Sequence, residues 1–170
     1  MTAAARPALA RRWSVRSDDP GRTAAIGAAL GRAAPDGTVI LLEGPLGAGK
    51  TTLAQGIGAG CGVREPITSP TYNLVLRYEG DRTFTHVDLY RIENPAGLET
   101  LDLDEILDGE GVTCVEWPTL LADRVRPPWA RVRIAVEPGP EAARRLVGEL
   151  AGRGWEAAGA ALEALGAETG

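Results

Sequence analysis

A stretch of eight residues in the first third of the chain combines three glycines with a lysine and a threonine. It reads GPLGAGKT from Gly44 to Thr51 and matches the pattern G-x-x-x-x-G-K-[ST] without a gap. Of the 18 basic residues in the chain, 17 are arginine and one is Lys50, which lies inside this stretch. A compact ammonium on a thin stem fits within a tight backbone loop, whereas a planar guanidinium is bulky. The position therefore selects for shape as well as charge.

This pattern is typical of a loop that binds phosphate. Glycines let the backbone turn its N–H groups inward as an anion nest, and the helix that follows aims its positive end at the same point. Lys50 would reach the β- and γ-phosphates, and the Thr51 hydroxyl would bind Mg²⁺. A chance Gly-rich turn is the alternative, but here the pattern follows a predicted strand and opens a predicted helix. The residues expected to bind the nucleotide are Gly44, Leu46, Gly47, Ala48, Gly49, Lys50, Thr51 and Thr52.

Two acidic residues stand at the ends of apolar runs that predict strands. Asp88 ends TFTHVD and Glu116 ends VTCVE. Ligands of open α/β sheets lie beyond the carboxyl ends of strands, so both acids would face the phosphate loop. We expect Glu116 to bind Mg²⁺ with Thr51, and Asp88 to act through a water near the ion or to orient the attacking water. A solvated strand end is the alternative for either acid alone.

Two further features of the sequence are candidates for the same site. Thr68–Leu74, TSPTYNL, lies between the phosphate-loop helix and a predicted hairpin, where segments that respond to a bound phosphate are found. An ordinary turn explains this segment equally well. His86 is the only histidine. Lone histidines are more often structural than catalytic, so we assign it no role.

Alternating helix and strand patterns would position these residues. Helices are predicted in SDDPGRTAAIGAALGRAAP, KTTLAQGIGAG and NPAGLETLDLDEILDG and over residues 155–165, and strands in DGTVILLEG, GVTCVEW and ARVRIAVEPG. Residues 72–78 and 83–87 flank EGDR as a hairpin. Residues 141–150 fit either a helix or an edge strand. The expected fold class is α/β, a P-loop NTPase three-layer sandwich with a mixed, mostly parallel sheet.

Length, composition and charge indicate one soluble domain. The chain has 170 residues, of which 44% are hydrophobic and 24% charged. A net charge of −5 argues against holding nucleic acid alone, since phosphate binding needs clustered Lys and Arg. Cys61 and Cys114 lie outside any Cys/His cluster and are expected to be buried thiols in a reducing compartment. No apolar run approaches 18 residues, so no membrane span is expected.

The two ends of the chain are assigned separately from the central domain. The start, MTAAARPALARRWSVR, contains Arg but no acid and could pass for a transit peptide. We favour a disordered extension over residues 1–13 of a cytoplasmic protein. Residues 14–152 would form the P-loop ATPase domain, and residues 153–170 a C-terminal helix and a loose tail.

Four stretches in this order and spacing resemble the bacterial TsaE (YjeE) family: GPLGAGKTTL, SPTYNLVLRY, HVDLYRI and VEWP. The resemblance covers roughly residues 14–150. It implies a compact P-loop domain that binds ATP with Mg²⁺ and hydrolyses it slowly alone. It also implies an accessory role beside the TsaB–TsaD heterodimer, which transfers a threonylcarbamoyl group to adenosine 37 of tRNAs reading ANN codons. Contact with tRNA itself would be indirect or weak.

The resemblance also assigns roles to individual residues. They are Lys50 and Thr51 for phosphate and Mg²⁺, Thr68–Thr71 as a switch-like loop, Asp88 as necessary for activity, Glu116 as the Mg²⁺ ligand, and Trp117 as the functional tryptophan beside the nucleotide. The chain departs from the family at Pro45, where an acid is usual, and at Thr119, where Glu or Gln is common. The nucleotide base is expected near residues 19–23 and 139–140.

Three other functions remain open at this stage. A small-metabolite kinase would need an acceptor pocket and cations over the phosphates, which Arg91, Arg124 or Arg126 could supply. A GTP-dependent switch would need N-K-x-D, but neither Asn73 nor Asn94 is followed by Lys. A structural partner with a vestigial nucleotide site is disfavoured because the candidate ligands are intact.

Overall fold

Helices and strands alternate along residues 9–121 and 123–170, the part of the chain that the computed structural model describes. The strands are β1 (Leu9–Ser17), β2 (Thr38–Glu43), β3 (Val75–Tyr78), β4 (Phe84–Asp88), β5 (Val112–Glu116), β6 (Trp129–Val136), β7 (Arg144–Ala151) and β8 (Glu168–Thr169). The helices are α1 (Pro20–Ala33), α2 (Lys50–Gly60), α3 (Pro95–Leu98), α4 (Leu103–Leu107) and α5 (Glu156–Glu163), and a 3₁₀ turn covers Pro118–Leu120.

The strands of the described residues form one mixed sheet in the order β3-β4-β5-β2-β6-β7-β1-β8. The four central strands β4, β5, β2 and β6 are parallel, and the remaining pairings are antiparallel. Strand β5 is buried along its whole length and β2 along nearly all of it, which explains their continuous apolar sequences. The predicted α/β fold class with a mixed sheet is confirmed, but three of the seven strand pairings are parallel, so the sheet is partly rather than mostly parallel.

Apolar side chains fill both faces of this sheet. On one face α1, α2 and α5 contribute Leu30, Leu53 and Leu162 to the larger core. On the other face α3, α4 and the 3₁₀ turn cover a smaller cluster, which includes Leu98 and the partly buried Ile106. The sheet thus lies between two helical layers. Among the described residues, no helix is both long and apolar enough to cross a lipid bilayer.

Helices α1 and α2 pack backbone against backbone through glycines. Gly27 and Gly31 of α1 lie against the backbone of α2, and Gly56 and Gly60 of α2 lie against the backbone of α1. A Cβ atom at position 31 would lie 2.1 Å from a backbone oxygen of α2, and one at position 56 would lie 2.2 Å from a backbone oxygen of α1. No larger side chain fits this contact without moving a helix. The start of α2, which carries the phosphate-binding pattern, is therefore fixed against α1.

The elements with clear sequence patterns form where they were predicted. Strands β3 and β4 pair as a hairpin, from Val75 opposite Val87 to Tyr78 opposite Phe84. Asp19 caps α1, and its side chain accepts a hydrogen bond from the backbone N–H of Arg22. The segment after Asn94 forms the two short helices α3 and α4.

The region around residues 141–150 corrects one expectation. It forms β7 rather than a helix, and β7 lies inside the sheet rather than at its edge. Strand β6 pairs with it on one side and β1 on the other, both antiparallel. The helical propensity of its residues is overridden because Leu146 and Leu150 are buried in the larger core.

Both ends of the chain also differ from the prediction. Residues 9–13, expected to be disordered, belong to β1, where Trp13 is buried; residues 1–8 lie outside the described part. The expected loose tail contains β8, and the backbones of Arg12 and Gly170 exchange two hydrogen bonds of 3.0 Å. Helix α5 packs on α1 in the same core as the rest. Burial of these apolar residues extends the domain beyond the boundaries expected at 14 and 152.

Candidate nucleotide site

The loop between β2 and α2 opens at the sheet edge where β4 and β5 also end. Gly47 and Gly49 adopt φ angles of 77° and 107°, a region that favours glycine. Gly44 runs against β6, where a Cβ would lie 2.6 Å from the backbone oxygen of Ile134. No described side chain caps the N-terminus of α2. The first N–H groups of α2 are thus available to an anion.

The Lys50 side chain folds back over this loop. Its Nζ donates to the backbone oxygens of Gly44 at 2.7 Å and Pro45 at 2.9 Å. The same atom lies 4.0 Å from the centroid of the Trp117 ring, within the range of a cation–π contact. Lys50 is only 4% exposed, and burial lowers its pKa while two neighbouring carboxylates partly oppose that shift. The ammonium is therefore held where incoming phosphate oxygens could replace its carbonyl partners.

The Glu116 side chain points toward α2 because side chains along β5 alternate between the two faces of the sheet. Val112 and Cys114 precede it on the same face of β5 and belong to the larger core beneath α2. The Thr51 hydroxyl donates to the Glu116 carboxylate, with Oγ1 3.0 Å from Oε1 and 3.2 Å from Oε2. The glutamate is 3% exposed. A hydroxyl and a carboxylate thus converge at the base of the phosphate loop.

Asp88 is the partner of Glu116 in the parallel register of β4 and β5. Its Oδ1 accepts from the backbone N–H of Tyr90 at 2.9 Å, and its Oδ2 accepts from the Thr71 hydroxyl at 3.2 Å. The Thr71 hydroxyl also lies 2.7 Å from that of Ser69. The segment over residues 68–74 is therefore tied to the acid of β4 through a side-chain hydroxyl.

Trp117 has a left-handed backbone, with φ of 56°. A non-glycine residue in such a region stores about 1–3 kcal/mol of strain, and strain of this kind clusters at functional sites. The turn brings the Trp117 ring over Lys50 and places it 5.0 Å from the ring of Tyr90. The aromatic side chain therefore borders the loop.

The donor atoms at the base of the loop are oxygens, which suits Mg²⁺. Within the described ranges, no group of three or more His, Cys, Asp or Glu residues could hold a metal ion. Mg²⁺ in nucleotide sites usually takes one or two carboxylates and completes its coordination with phosphate and water. The residues present fit an ion that arrives with a polyphosphate.

The structure brings the predicted catalytic and metal-binding residues to one edge of the sheet. Direct contacts join Lys50 to Trp117 and Thr51 to Glu116, and Asp88 lies beside Glu116 in register. Of the residues expected to bind nucleotide, Leu46 has a side chain that is 77% exposed. The others form the loop and the first turn of α2.

His86 is a site residue that the sequence reasoning missed. It is fully buried, and its Nε2 lies 2.8 Å from Oε1 of Glu116. Alternation along β4 places Phe84, His86 and Asp88 on one face, so the histidine shares that face with an acid already assigned to the site. The two-residue spacing between His86 and Asp88 could therefore have indicated from sequence that the histidine lies near the site.

Arg144 is a second residue that went unnoticed. From β7 its Nε donates to the backbone oxygen of Ala48 at 2.9 Å, and an Nη atom lies 3.3 Å from the oxygen of Gly47. Because these bonds hold the two loop carbonyls toward Arg144, they favour loop N–H groups that point away from Arg144. No local signal marks this role, because the contact spans 96 residues of sequence.

A cavity of about 400 Å³ adjoins the phosphate loop. Its lining comes from the loop, the start of α1 and the segment before β7: Ser17, Asp18, Asp19, Pro20, Thr23, Gly47, Ala48, Gly49, Thr52, Glu141, Ala142 and Arg144. Three residues of the 19–23 segment expected near the base line it, whereas Gly139 and Pro140 line a separate cavity of about 140 Å³. A planar base has room beside the loop.

Comparison with known proteins gives consistent matches. The family model described as "Threonylcarbamoyl adenosine biosynthesis protein TsaE" matches residues 17–146. A tRNA threonylcarbamoyladenosine biosynthesis protein TsaE from Bacillus subtilis is 34% identical over 142 residues, which cover 83% of this chain and 87% of that protein. A protein of the same name from Nostoc is 45% identical over 104 residues, covering 58% of this chain and 64% of the relative.

A solved structure matches along nearly the whole chain. The crystal structure of YdiB from Bacillus subtilis superposes with a TM-score of 0.70 at 29% sequence identity. The match covers 91% of this chain and 94% of YdiB. The similarity in fold therefore extends over most of both chains.

Proposed function

This chain belongs to the TsaE family of threonylcarbamoyl adenosine biosynthesis proteins, and from that premise we propose that it is a Mg²⁺-dependent ATP-binding protein that hydrolyses ATP slowly on its own. The observation that carries the proposal is the junction of Lys50, Thr51 and Glu116 at the base of a glycine loop. This junction combines an anion nest, a cation and an oxygen ligand set, which are the parts a metal–nucleotide site requires.

Polyphosphate binding would use the loop amides and the Lys50 ammonium. This ammonium donates to two backbone carbonyls, lies over the Trp117 ring and has two carboxylates nearby. Phosphate oxygens carry full charge, so the exchange of partners strengthens the contact in a poorly hydrated site. Arg144, on the outer side of the loop, would keep the loop carbonyls turned away from the phosphates.

Thr51 and Glu116 would hold Mg²⁺, which neutralises charge on phosphate oxygens as a Lewis acid. Asp88 is ordered by the Tyr90 amide and the Thr71 hydroxyl and would orient a water beside the terminal phosphate. Because Thr71 belongs to the segment over residues 68–74, occupancy of the site would be transmitted to that segment. This assignment keeps Asp88 and Thr71 together as one hydrogen-bonded unit.

The base would occupy the cavity beside the loop. The side chains of Thr23 and Thr52 and the start of α1 provide its polar lining, and its volume of about 400 Å³ accommodates a nucleoside. Adenine is proposed over guanine because the sequence lacks the N-K-x-D pattern that reads guanine. The proposed ligand is therefore ATP.

The proposed partners are the TsaB–TsaD heterodimer, with tRNA contacted indirectly or weakly. The chain carries a net charge of −5, which disfavours an independent grip on RNA. Exposed apolar side chains next to the site suit a protein surface: Leu46 on the loop, Tyr72 in the 68–74 segment and Tyr90 after β4. In this role the protein would support threonylcarbamoyl modification of tRNA.

A small-metabolite kinase remains the alternative, but two of its candidate cations contact groups other than the phosphate loop. Arg91 stacks on the Tyr72 ring at 4.4 Å, and Arg124 lines a cavity formed by residues 98–104 that shares no lining residue with the cavity beside the loop. The test is product analysis with labelled ATP in the presence of candidate metabolites. Phosphate released to water supports the ATPase, whereas phosphate transferred to a metabolite would replace this proposal with the kinase.

The central experiment measures ATP-analogue binding and partner capture together. Titration calorimetry with a non-hydrolysable ATP analogue, with Mg²⁺ or with EDTA, should show binding that Mg²⁺ strengthens. Co-purification with TsaB and TsaD should then depend on ATP. A protein that binds no adenine nucleotide, or binds GTP more tightly than ATP, contradicts the proposal.

A further inference from the structure

We propose that His86 is a positioning residue that fixes the Glu116 carboxylate for Mg²⁺ without touching the ion itself. The inference rests on the function proposed above, because it assigns His86 to the metal step of the same site. Its starting point is the 2.8 Å contact between His86 Nε2 and Glu116 Oε1, in which both side chains are almost completely buried. The ring approaches the carboxylate from β4, the strand next to β5.

The geometry determines which nitrogen carries the proton. The Glu116 carboxylate is an acceptor, so Nε2 of His86 must donate. Among the described residues, Nδ1 of His86 is buried and has no hydrogen-bond partner. The structure therefore places a ring proton on Nε2, where it points at the acid.

His86 and Thr51 contact the Glu116 carboxylate from two different elements. His86 on β4 contacts Oε1, and the Thr51 hydroxyl on α2 contacts both oxygens. Burying a carboxylate without hydrogen-bond donors is costly, and His86 supplies one such donor from a fixed position on β4. The remaining lone pairs of the carboxylate are thus held in one orientation toward the loop. Partners of this kind typically change metal affinity about 10–100-fold.

A purely structural histidine would make a different prediction. His86 also packs near the Phe84 ring, at 6.0 Å between ring centroids, so its removal could weaken the core without affecting the metal. The two roles are separated by the position of the donor nitrogen. The amide nitrogen of Gln can reach the place of Nε2, whereas that of Asn corresponds to Nδ1.

The test compares His86→Gln with His86→Asn, with His86→Leu as an apolar variant. Affinity for a fluorescent ADP analogue is measured in EDTA and then across a Mg²⁺ titration. We expect His86→Asn and His86→Leu to need about 10–100-fold more Mg²⁺ for half of its effect, and His86→Gln to remain within about threefold of wild type. Metal-free nucleotide affinity should stay within about twofold in all three. Equal Mg²⁺ requirements in every variant would overturn the inference.

A second measurement needs no variant of His86 and no ligand. Because the chain has one histidine, the ¹⁵N signals of its ring are unambiguous in the intact protein. We expect a proton on Nε2, with a signal that shifts in Glu116→Gln. A proton on Nδ1 with a bare Nε2 contradicts the inference even if the substituted proteins do not fold. Wild-type protein that binds nucleotide without any Mg²⁺ effect would instead refute the proposed function.

Discussion

Lys50 is nearly buried, which favours a neutral amine, but phosphate binding requires a charged ammonium. Burial lowers its pKa, so holding its charge costs folding free energy. The sign follows from linkage: an amine whose folded pKa lies below its unfolded value destabilises the protein while charged, and this cost is relieved as pH rises above the folded pKa. A residue that costs stability and offers a phosphate contact is expected at a binding site.

Replacing Lys50 with Met should separate the effect on stability from the effect on phosphate binding. We expect nucleotide affinity to fall by about 10²-fold or more, since a phosphate cluster loses its cation. The melting temperature of the nucleotide-free protein should stay level or rise, because a buried charge is removed. Calorimetric titration measures the nucleotide affinity, and thermal unfolding measures the melting temperature. Lys50→Arg is the matched control: it keeps the charge, and should still bind poorly because its fork does not fit the loop.

Replacing Glu116 with Ala should affect the metal more than the nucleotide. The carboxylate faces Thr51, whose hydroxyl is the other proposed ligand. We expect the Mg²⁺ dependence of binding to weaken strongly, hydrolysis to fall about 10²–10³-fold, and metal-free binding to change little. Mg²⁺ titrations of nucleotide binding check this. If they match wild type, Asp88 becomes the better ligand candidate, and Asp88→Ala is the corresponding comparison.

At the scale of elements, the site depends on how closely α2 lies against α1. The glycines of both helices allow backbone contact, and the phosphate loop is the N-terminal continuation of α2. A shift of α2 by the width of a methyl group would move Thr51 away from the end of β5. Distances at the site are therefore set by a contact one or two helical turns away.

Replacing Gly56 with Ala tests this packing. Its Cβ would lie 2.2 Å from a backbone oxygen of α1, so the helices must separate. We expect a loss of about 1–3 kcal/mol, or roughly 2–12 °C in melting temperature, together with weaker nucleotide binding. Gly159→Ala in α5 is the control, because that Cβ meets only the end of the flexible Arg11 side chain. Equal melting temperatures for the two variants would contradict this account.

At the scale of the whole molecule, the larger core encloses two free thiols. Burial raises the pKa of Cys61 from its ordinary value of 9.0 to about 11, and burial also raises the pKa of Cys114. An acid with a raised folded pKa stabilises the protein below its unfolded pKa. This contribution is lost as pH rises through the folded value, because the unfolded chain releases its proton first.

The free energy of unfolding should therefore fall between about pH 9 and 11, by roughly 2–3 kcal/mol for Cys61 alone. Urea unfolding at a series of pH values measures it. Cys61→Ala should show a shallower fall than wild type over this range, and the difference between the two curves removes the contributions of tyrosines and other shared groups. Parallel curves for the two proteins would show that this thiol does not make the expected contribution.

Prediction from sequence succeeded where a signal was local. The hairpin of β3 and β4, the Asp19 cap and the phosphate loop each depend on residues close together in the chain. It left residues 141–150 open between a helix and an edge strand, and the strand they form is not at the edge, because β1 arrives from the other end of the chain to pair with it. It also missed Trp13, which is buried through that same pairing.

The sequence by itself determined the strand–loop–helix form of the glycine-rich loop and placed Asp88 and Glu116 at strand ends, since backbone conformation and strand alternation are set by neighbouring residues. Only the tertiary structure decided which groups act on those residues. His86 meets Glu116 across two strands, Arg144 reaches the loop from β7, and Trp117 covers Lys50. These contacts join segments that are far apart in sequence. The segments come together because their side chains are buried in a shared core, and no local sequence pattern encodes that burial.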